Sequence, residues 1–356
     1  MLAGAVVALS TGGLVALADP EGDEVAPRFA QAAAPGRFEV EIDVADFHKG
    51  NLHTHSLVSD GDAHPLDVYG WYRDRGYQFV ALTDHNHRVE PKVYAHLERP
   101  GFKILAGEEV TMTGAGKQVH VNAICTQKQI GGGKFDTQPE ALRWAIGKIA
   151  EQGAVALINH PNFDWALDEE MVFAGRDAPL LEIHSGHPYV WSKGDDARSS
   201  HELLWGRLLD RGARFAGAAV DDTHHIVTNP APRKAARPGR GWVSVYANPG
   251  ADVDRDATCR ALREGRFYAS AGAAIDRLRV VEGTVTVWPS DPHAEVTFLG
   301  RGNETLAAVR PGLEGASYTL RGGETLVRVR IDEEDGQQAW TQAFHVAPTV
   351  GVPLEG

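Results

Sequence analysis

Residues 65–85 read PLDVYGWYRDRGYQFVALTDH, and the order of signals within them decides the fold class. Pro65 to Arg75 has a helical pattern, with proline where a helix begins. Gly76 follows at the position where a left-handed residue ends such a helix. Tyr77-Gln78-Phe79-Val80-Ala81-Leu82-Thr83 is then a largely apolar run of strand length, closed by Asp84-His85. The same order recurs twice. Pro139 to Gln152, Gly153 and Ala154-Val155-Ala156-Leu157-Ile158 lead to Asn159-His160. Ser200 to Arg211, Gly212 and Ala213 to Val220 lead to Asp221-Asp222-Thr223-His224. Continuous apolar strands suit a parallel sheet buried on both faces, and helix–strand alternation predicts an α/β barrel or a doubly wound sheet. In both, catalytic residues sit at strand C-terminal ends, where these His and Asp residues fall.

Toward the C-terminus the texture changes near residue 273. Thr284 to Trp288, Glu295 to Leu299 and Thr325 to Ile331 alternate, with Gly-Gly and Asp-Gly between runs. This predicts a small antiparallel β-sandwich over 273–356, without a ligand set of its own, which could dock substrate but is read first as a structural lid. Toward the N-terminus, Phe38-Glu39-Val40-Glu41-Ile42 alternates as a strand does. Residues 1–45 read as a signal-like segment and linker. Ala16-Leu17-Ala18, followed by Asp19-Pro20, has the form of a signal-peptidase site, although no Lys or Arg precedes the apolar stretch. The stretch is too short and too rich in glycine for a membrane span. The expectation is export, to the periplasm or beyond, with the α/β domain at 46–272.

Composition sets outer limits. Hydrophobic residues make 43% and charged residues 23% of 356, enough for a sizeable core in an ordinary globular protein. A net charge of -13 argues against non-specific nucleic-acid binding, which needs basic surface to displace counterions. Carboxylates that hold cations also count as negative in that sum. The two cysteines, Cys125 and Cys259, form no CxxC pair, which argues against a thiolate zinc site. A single disulfide between them is open but cannot be inferred from the sequence, and two ordinary small residues is the favoured reading. Nothing in the sequence fixes the oligomeric state.

The chemistry-bearing residues begin at His53-Thr54-His55. On a strand, residues i and i+2 share a face, so one metal can take both imidazoles. With 16 His in 356 residues roughly one such pair arises by chance, so its context decides. Ser59-Asp60-Gly61 supplies a carboxylate on the next loop, or only a turn. In Asp84-His85-Asn86-His87, His85 is the expected ligand, Asp84 a support that orients an imidazole, and His87 a loop residue. Glu108-Glu109 offers one carboxylate able to bridge two cations, or a surface acidic pair. His120, His160 and Asp222-Thr223-His224 complete a mixed His/carboxylate set. Such a set suits Zn²⁺, Mn²⁺ or Fe²⁺ better than Ca²⁺ or Mg²⁺.

In their order along residues 46–272 these motifs resemble the PHP (polymerase and histidinol phosphatase) superfamily. The resemblance implies a distorted (βα)₇ barrel, here followed by the small antiparallel β-sandwich, with a trinuclear metal site of two or three Zn, Mn or Fe ions. One metal would take His53, His55, Glu109 and Asp222. A second would share Glu109 and add His120 and His160. A third would take Asp60, His85 and His224, with Asp60 standing where some members carry His. Spacing to His224 favours Asp222 over Asp221. The ending Glu264-Gly265-Arg266-Phe267-Tyr268-Ala269-Ser270, with a β domain after it, resembles a secreted subgroup that includes carbaryl hydrolases.

The reaction implied is hydrolysis of a small-molecule ester. Clustered cations would lower the pKa of a bridging water from ~15.7 toward neutrality, and the hydroxide would attack phosphorus or a carbonyl carbon. His225 and His187 are candidate proton donors or substrate contacts, and Lys49 a candidate substrate contact. Each can instead be a rim or flanking residue. A phosphoesterase is the leading reading. A carboxylic or carbamic ester hydrolase is the second, and would want an apolar wall, for which Trp165, Tyr189 and Trp191 are candidates. A non-catalytic metal- or carbohydrate-binding module is the third, which the complete ligand set argues against.

Overall fold

The computed structural model describes residues 36–228, 234–246 and 250–347. The segment read as an export signal lies outside them. Five α-helices are described: α1 (Pro65–Arg73), α2 (Gln138–Ala150), α3 (Glu169–Ala174), α4 (His201–Asp210) and α5 (Arg255–Arg263). Thr137, Asp168, Ser200 and Asp254 open the last four, each accepting a backbone N–H from inside the first turn. The glycines after α1, α2 and α4 have φ of 77°, 65° and 89° at Gly76, Gly153 and Gly212, a left-handed turn that closes the helix and releases the strand. The strands that follow, Phe79–Ala81, Val155–Ile158 and Ala216–Val220, are buried throughout.

These strands belong to two hydrogen-bonded sheets rather than to one closed ring. The first has the order Ala216–Val220, Leu180–Ser185, Val155–Ile158, Lys117–Ile124, Gly107–Gly114, Lys134–Phe135. The second begins Lys103–Leu105, Phe79–Ala81, His48–Asn51, Trp242–Val245, Phe267–Ser270. Isolated bridges, Thr54 to Thr223 and His85 to Glu109, join the two where their strands end. The regular helix–strand alternation expected of a (βα)₇ barrel is broken at Gly107–Ile124. Ala115 and Gly116 have φ of 47° and 80°, a two-residue turn that pairs Gly114 with Lys117 antiparallel and leaves no crossover helix. The architecture is therefore mixed α/β, with several sheets and few helices among the described residues. None of those helices is long and apolar enough to cross a membrane.

The C-terminal strands are antiparallel, and Glu295–Leu299 matches the expected strand residue for residue. Ile42–Val44, Ile275–Val281, Thr284–Pro289 and Ala316–Thr319 make a four-stranded sheet. Its Leu278, Val280, Val285 and Val287 share a core with Val296, Phe298, Val329 and Ile331 of the opposing strands. Those opposing strands continue the second sheet, through Gln338–Trp340 paired with Phe267–Ser270, so hydrogen bonding runs unbroken across residue 272.

Cys125 and Cys259 form a disulfide, contrary to the sequence reading. They are 134 residues apart, and that spacing says nothing about distance. The bond ties the end of Lys117–Ile124 to α5, with the Cα atoms 6.2 Å apart.

Candidate metal centre

The strand His48–Asn51 ends two residues before His53, and the Asn51 side chain accepts the His53 N–H at 2.7 Å. The bridge from Thr54 to Thr223 keeps 53–55 extended, so His53 and His55 project to one side. Both are almost fully buried. Glu109 stands opposite on Gly107–Gly114. Its Oε2 lies 3.3 Å from His53 Nε2, 3.2 Å from His55 Nε2 and 3.1 Å from His85 Nδ1. Its Oε1 lies 3.0 Å from His120 Nδ1 and 3.5 Å from His160 Nε2. Alternation along the strand turns Glu108 the other way, where it accepts the N–H groups of Ile130 and Gly131.

The two adjacent aspartates also part, here just beyond the end of the strand Ala216–Val220. Asp222 Oδ1 is 3.3 Å from both His53 Nε2 and His55 Nε2. Asp221 faces away and accepts hydrogen bonds from Asn51, Tyr72 and the backbone of Arg240 and Gly241. Asp60 meets His224 at 3.4 Å and His85 at 3.6 Å through Oδ2. Its Oδ1 lies 3.4 Å from His55 Nδ1. The nine residues expected as ligands thus converge. Their donor atoms fall into four groups, each within 4.8 Å: His53–His55–Glu109, His53–His160–Asp222, His85–Glu109–His120 and His55–Asp60–His85–His224. The grouping differs from the one the resemblance implies. His85 rather than His160 joins Glu109 and His120, and His55 joins the Asp60 group.

The donor set fits divalent cations. His53 Nε2, His55 Nε2, Glu109 Oε2 and both nitrogens of His120 are buried without a hydrogen-bond partner among the described residues. Orphaned buried polar atoms are costly in a folded core, and here His53 Nε2 and His55 Nε2 both face Glu109 Oε2. Two ligands each ~2.0–2.1 Å from a tetrahedral metal stand roughly 3.3 Å apart. The observed 3.2 and 3.3 Å contacts match that separation.

Burial alone would neutralise the carboxyl groups, but the surrounding imidazoles, His53 foremost, hold Glu109 and Asp222 well below the usual carboxylate range. For His55, burial works against protonation, and Asp222 and Glu109 outweigh it, raising the imidazole to about 9. Such a field of paired opposite charges is also what a cation would replace.

Other expected residues are placed differently. Asp84 touches no imidazole; it accepts from Ser56 and Ser59 and so fixes the loop that carries Asp60. His87 is an exposed loop residue. Lys49 is not brought to the cluster, because its ammonium sits over the rings of Trp242 and Tyr77, at 3.7 and 4.3 Å. His187 and His225 line the basin of about 520 Å³ above the cluster. Burial, with smaller contributions from neighbouring charges, lowers the His187 imidazole to about 4. Its Nδ1 accepts the Tyr189 N–H, so the ring proton sits on Nε2. Trp165 and Trp191 pack on each other and do not line the basin, whereas Tyr189 does, beside Phe163 and Val190.

Glu182, beside the cluster, is a residue the sequence reading passed over. It is fully buried on Leu180–Ser185, with Oε2 3.3 Å from His53 Nδ1. That contact leaves His53 Nε2 free to face the cluster. The available signal was a lone acid inside the apolar run Leu180-Leu181-Glu182-Ile183.

No protein-family model matches this sequence, and no curated protein matches it. Among solved structures, the chain is similar to a two-domain protein from Bacteroides vulgatus described as containing a predicted PHP-like metal-dependent phosphoesterase. Identity is 15% and the TM-score 0.46, over 90% of this chain and 100% of that one. It is also similar to an amidohydrolase from Chromobacterium violaceum, at 16% identity and a TM-score of 0.37, over 61% of this chain and 96% of that one. Neither likeness, at such a TM-score, adds to what the geometry supports.

Proposed function

We propose that this chain is a metal-dependent hydrolase of the PHP superfamily, acting as a phosphoesterase, with its two sheets as the opened halves of the distorted (βα)₇ barrel. The observation that carries the reading is the convergence of orphaned, buried imidazole and carboxylate atoms on Glu109. His53, His55, Glu109 and Asp222 would hold one ion, and His120 and His160, at 3.0 and 3.5 Å from Glu109 Oε1, would share that carboxylate for a second, with His85 near enough to serve either this ion or the third. Asp60, His85 and His224, the more exposed donors, would hold a third at the mouth. Divalent ions there would supply Lewis acidity toward a phosphoryl or carbonyl oxygen and make water a better nucleophile at neutral pH.

The chain's own residues do the rest. Glu182 orients His53 through Nδ1, and Asn159 holds Glu109 Oε1 with an N–H at 2.7 Å. His187, neutral at physiological pH, presents Nε2–H as a hydrogen-bond donor to a substrate oxygen rather than as a proton source. His225, whose Nδ1 has no partner among the described residues, is the group placed to move a proton to the leaving oxygen.

A second reading, a carboxylic or carbamic ester hydrolase, is favoured by one feature. Among the described residues the basin has no Lys or Arg in its lining, and it carries an apolar side made by Phe163, Tyr189 and Val190. The deciding experiment measures bound metal and then turnover of nitrophenyl phosphate, bis-nitrophenyl phosphate, naphthyl acetate and a naphthyl carbamate. We expect stoichiometric metal and phosphate-ester turnover. Turnover of the carbonyl esters alone would select the second reading, and metal at trace level would reject both. We also propose export. The Ala16-Leu17-Ala18 pattern and the Cys125–Cys259 disulfide, a bond stable in oxidising compartments, support it. Mature secreted protein should begin near Asp19.

A further inference from the structure

A second cleft, of about 610 Å³, adjoins the basin, and His187 lines both. Trp191 and Lys193 flank it on one side, Arg240 and Trp242 on another, and Gln337 reaches it from the C-terminal strands. The two compartments differ in the charged side chains that line them. Among the described residues the basin is lined by Asp60, Glu109 and Asp222 and by no Lys or Arg, the nearest ammonium being that of Lys234 over the Tyr189 ring. Among the described residues the cleft is lined by Lys193 and Arg240 and by no Asp or Glu. In a chain of net charge -13 that separation is informative. The bonds of Arg240 to Asp221 and His184 run through its backbone, leaving the guanidinium outside them.

We propose that this cleft is a subsite for a second, anionic group of the substrate. The enzyme would then cleave esters whose arm carries a carboxylate or a phosphate beyond His187. The inference rests on the hydrolase reading for its reacting bond and holds for a phosphate or a carbonyl ester alike. Arg240 offers a planar fork matched to either anion, and Lys193 a point charge beside it. Trp191 and Trp242 line the cleft beside them, aromatic surface against which the connecting arm can lie. His187 divides the compartments, its ring set edge-on to His224 at 5.1 Å between centroids. The C-terminal strands thereby become one wall of the substrate site, which a mere lid would not be.

The test uses the full-length, metal-loaded protein. Alkyl phosphates of graded length ending in a carboxylate or a phosphate are compared with the same compounds ending in a carboxamide, and the matching acetate esters are run beside them. At one length or more, an anionic end should raise kcat/KM by about ten-fold, the worth of a charge-assisted contact. Lys193→Ala combined with Arg240→Ala should bring that preference close to one, mainly through KM, with metal content and urea midpoint at wild-type values. No preference for an anionic end at any length would overturn the proposal, as would a preference that survives in the double variant. A second readout needs no turnover. Titration of the metal-free protein with adipate, and separately with inorganic phosphate, should give a saturable tryptophan fluorescence change that the double variant lacks. Which acid binds identifies the anion. Binding of this kind with no ester hydrolysed would retain the cleft and reject the hydrolase reading. Absence of a response in the wild type would reject the cleft.

Discussion

Breaking the Cys125–Cys259 bond by reduction is the perturbation whose size the structure sets most directly. Reduction leaves both sulfur atoms in place, so packing around the mostly buried Cys259 is preserved and only the link is lost. The bond closes a loop spanning a sequence separation of 134. In the chain-entropy treatment a loop of that length loses ~17 cal/mol/K in the unfolded chain, or about 5 kcal/mol at 25 °C. Two sources of error push in opposite directions. Residual structure in the unfolded chain lowers the figure, whereas freeing α5 from the strand end beneath it raises it. Equilibrium unfolding in urea, with and without dithiothreitol, reads the difference. For a slope of ~3 kcal/mol/M the midpoint should fall by roughly 1.5 M. Thiol titration of the denatured, unreduced protein should find no free thiol. Two free thiols, or a midpoint unmoved by reduction with an unchanged slope, would refute the linkage and the entropic reasoning with it.

Three further outcomes follow from the site and its surroundings. Asp222→Asn should lose bound metal and turnover, whereas Asp221→Asn should keep metal but lose about 3 kcal/mol of stability, because an amide meets the donors of Tyr72, Arg240 and Gly241. Metal analysis and urea unfolding separate the two, and equal metal loss in both variants would contradict the assignment. Glu182→Gln should weaken metal retention by about 10–100-fold against a chelator, since the partner of His53 Nδ1 loses its charge; unchanged retention would show Glu182 to be a bystander. Burial lowers the His201 imidazole to about 3, below its unfolded value, so the neutral form stabilises the fold. That stability is complete above pH ~6.5 and falls as pH drops, by ~2 kcal/mol at pH 5. His201→Gln should flatten the acid limb of urea stability in chelator by that amount, and an unaltered limb would sink the assignment.

What could be read in the sequence was what is local. A helix that starts at Thr137 or Ser200, ends at Gly153 or Gly212 and feeds an apolar strand is specified within some twenty residues by caps and a left-handed glycine. The polar residues at those strand ends were legible for the same reason. The sheet closure was not. It turns on Ala115-Gly116, whose two-residue turn converts an expected crossover into an antiparallel hairpin. Gly114-Ala115-Gly116 carries that signal, which the reading of helix–strand alternation did not use. The disulfide and the pairing of Glu182 with His53 were illegible because each depends on segments more than a hundred residues apart.

The aspartate doublet shows where local reading stops and why. Had Ala216–Val220 simply continued, alternation would have sent Asp221 and Asp222 to opposite faces, with the parity set by the strand. The strand ends at Val220, and Asp222 takes φ 50°, a left-handed conformation that costs a non-glycine residue ~1–3 kcal/mol unless its surroundings hold it. Those surroundings are visible. Asp222 N–H donates to His53 O at 3.0 Å, and Thr223 bridges Thr54, so the turn is fastened to the strand that carries His53 and His55. Asp221 fastens the other side, through Asn51, Tyr72 and the 240–241 backbone. One aspartate thus fixes the backbone so that its neighbour can face the imidazoles with an otherwise unfavourable φ. Spacing to His224 indicated the same residue, but only the fastening of both sides explains why the doublet contains two acids rather than one.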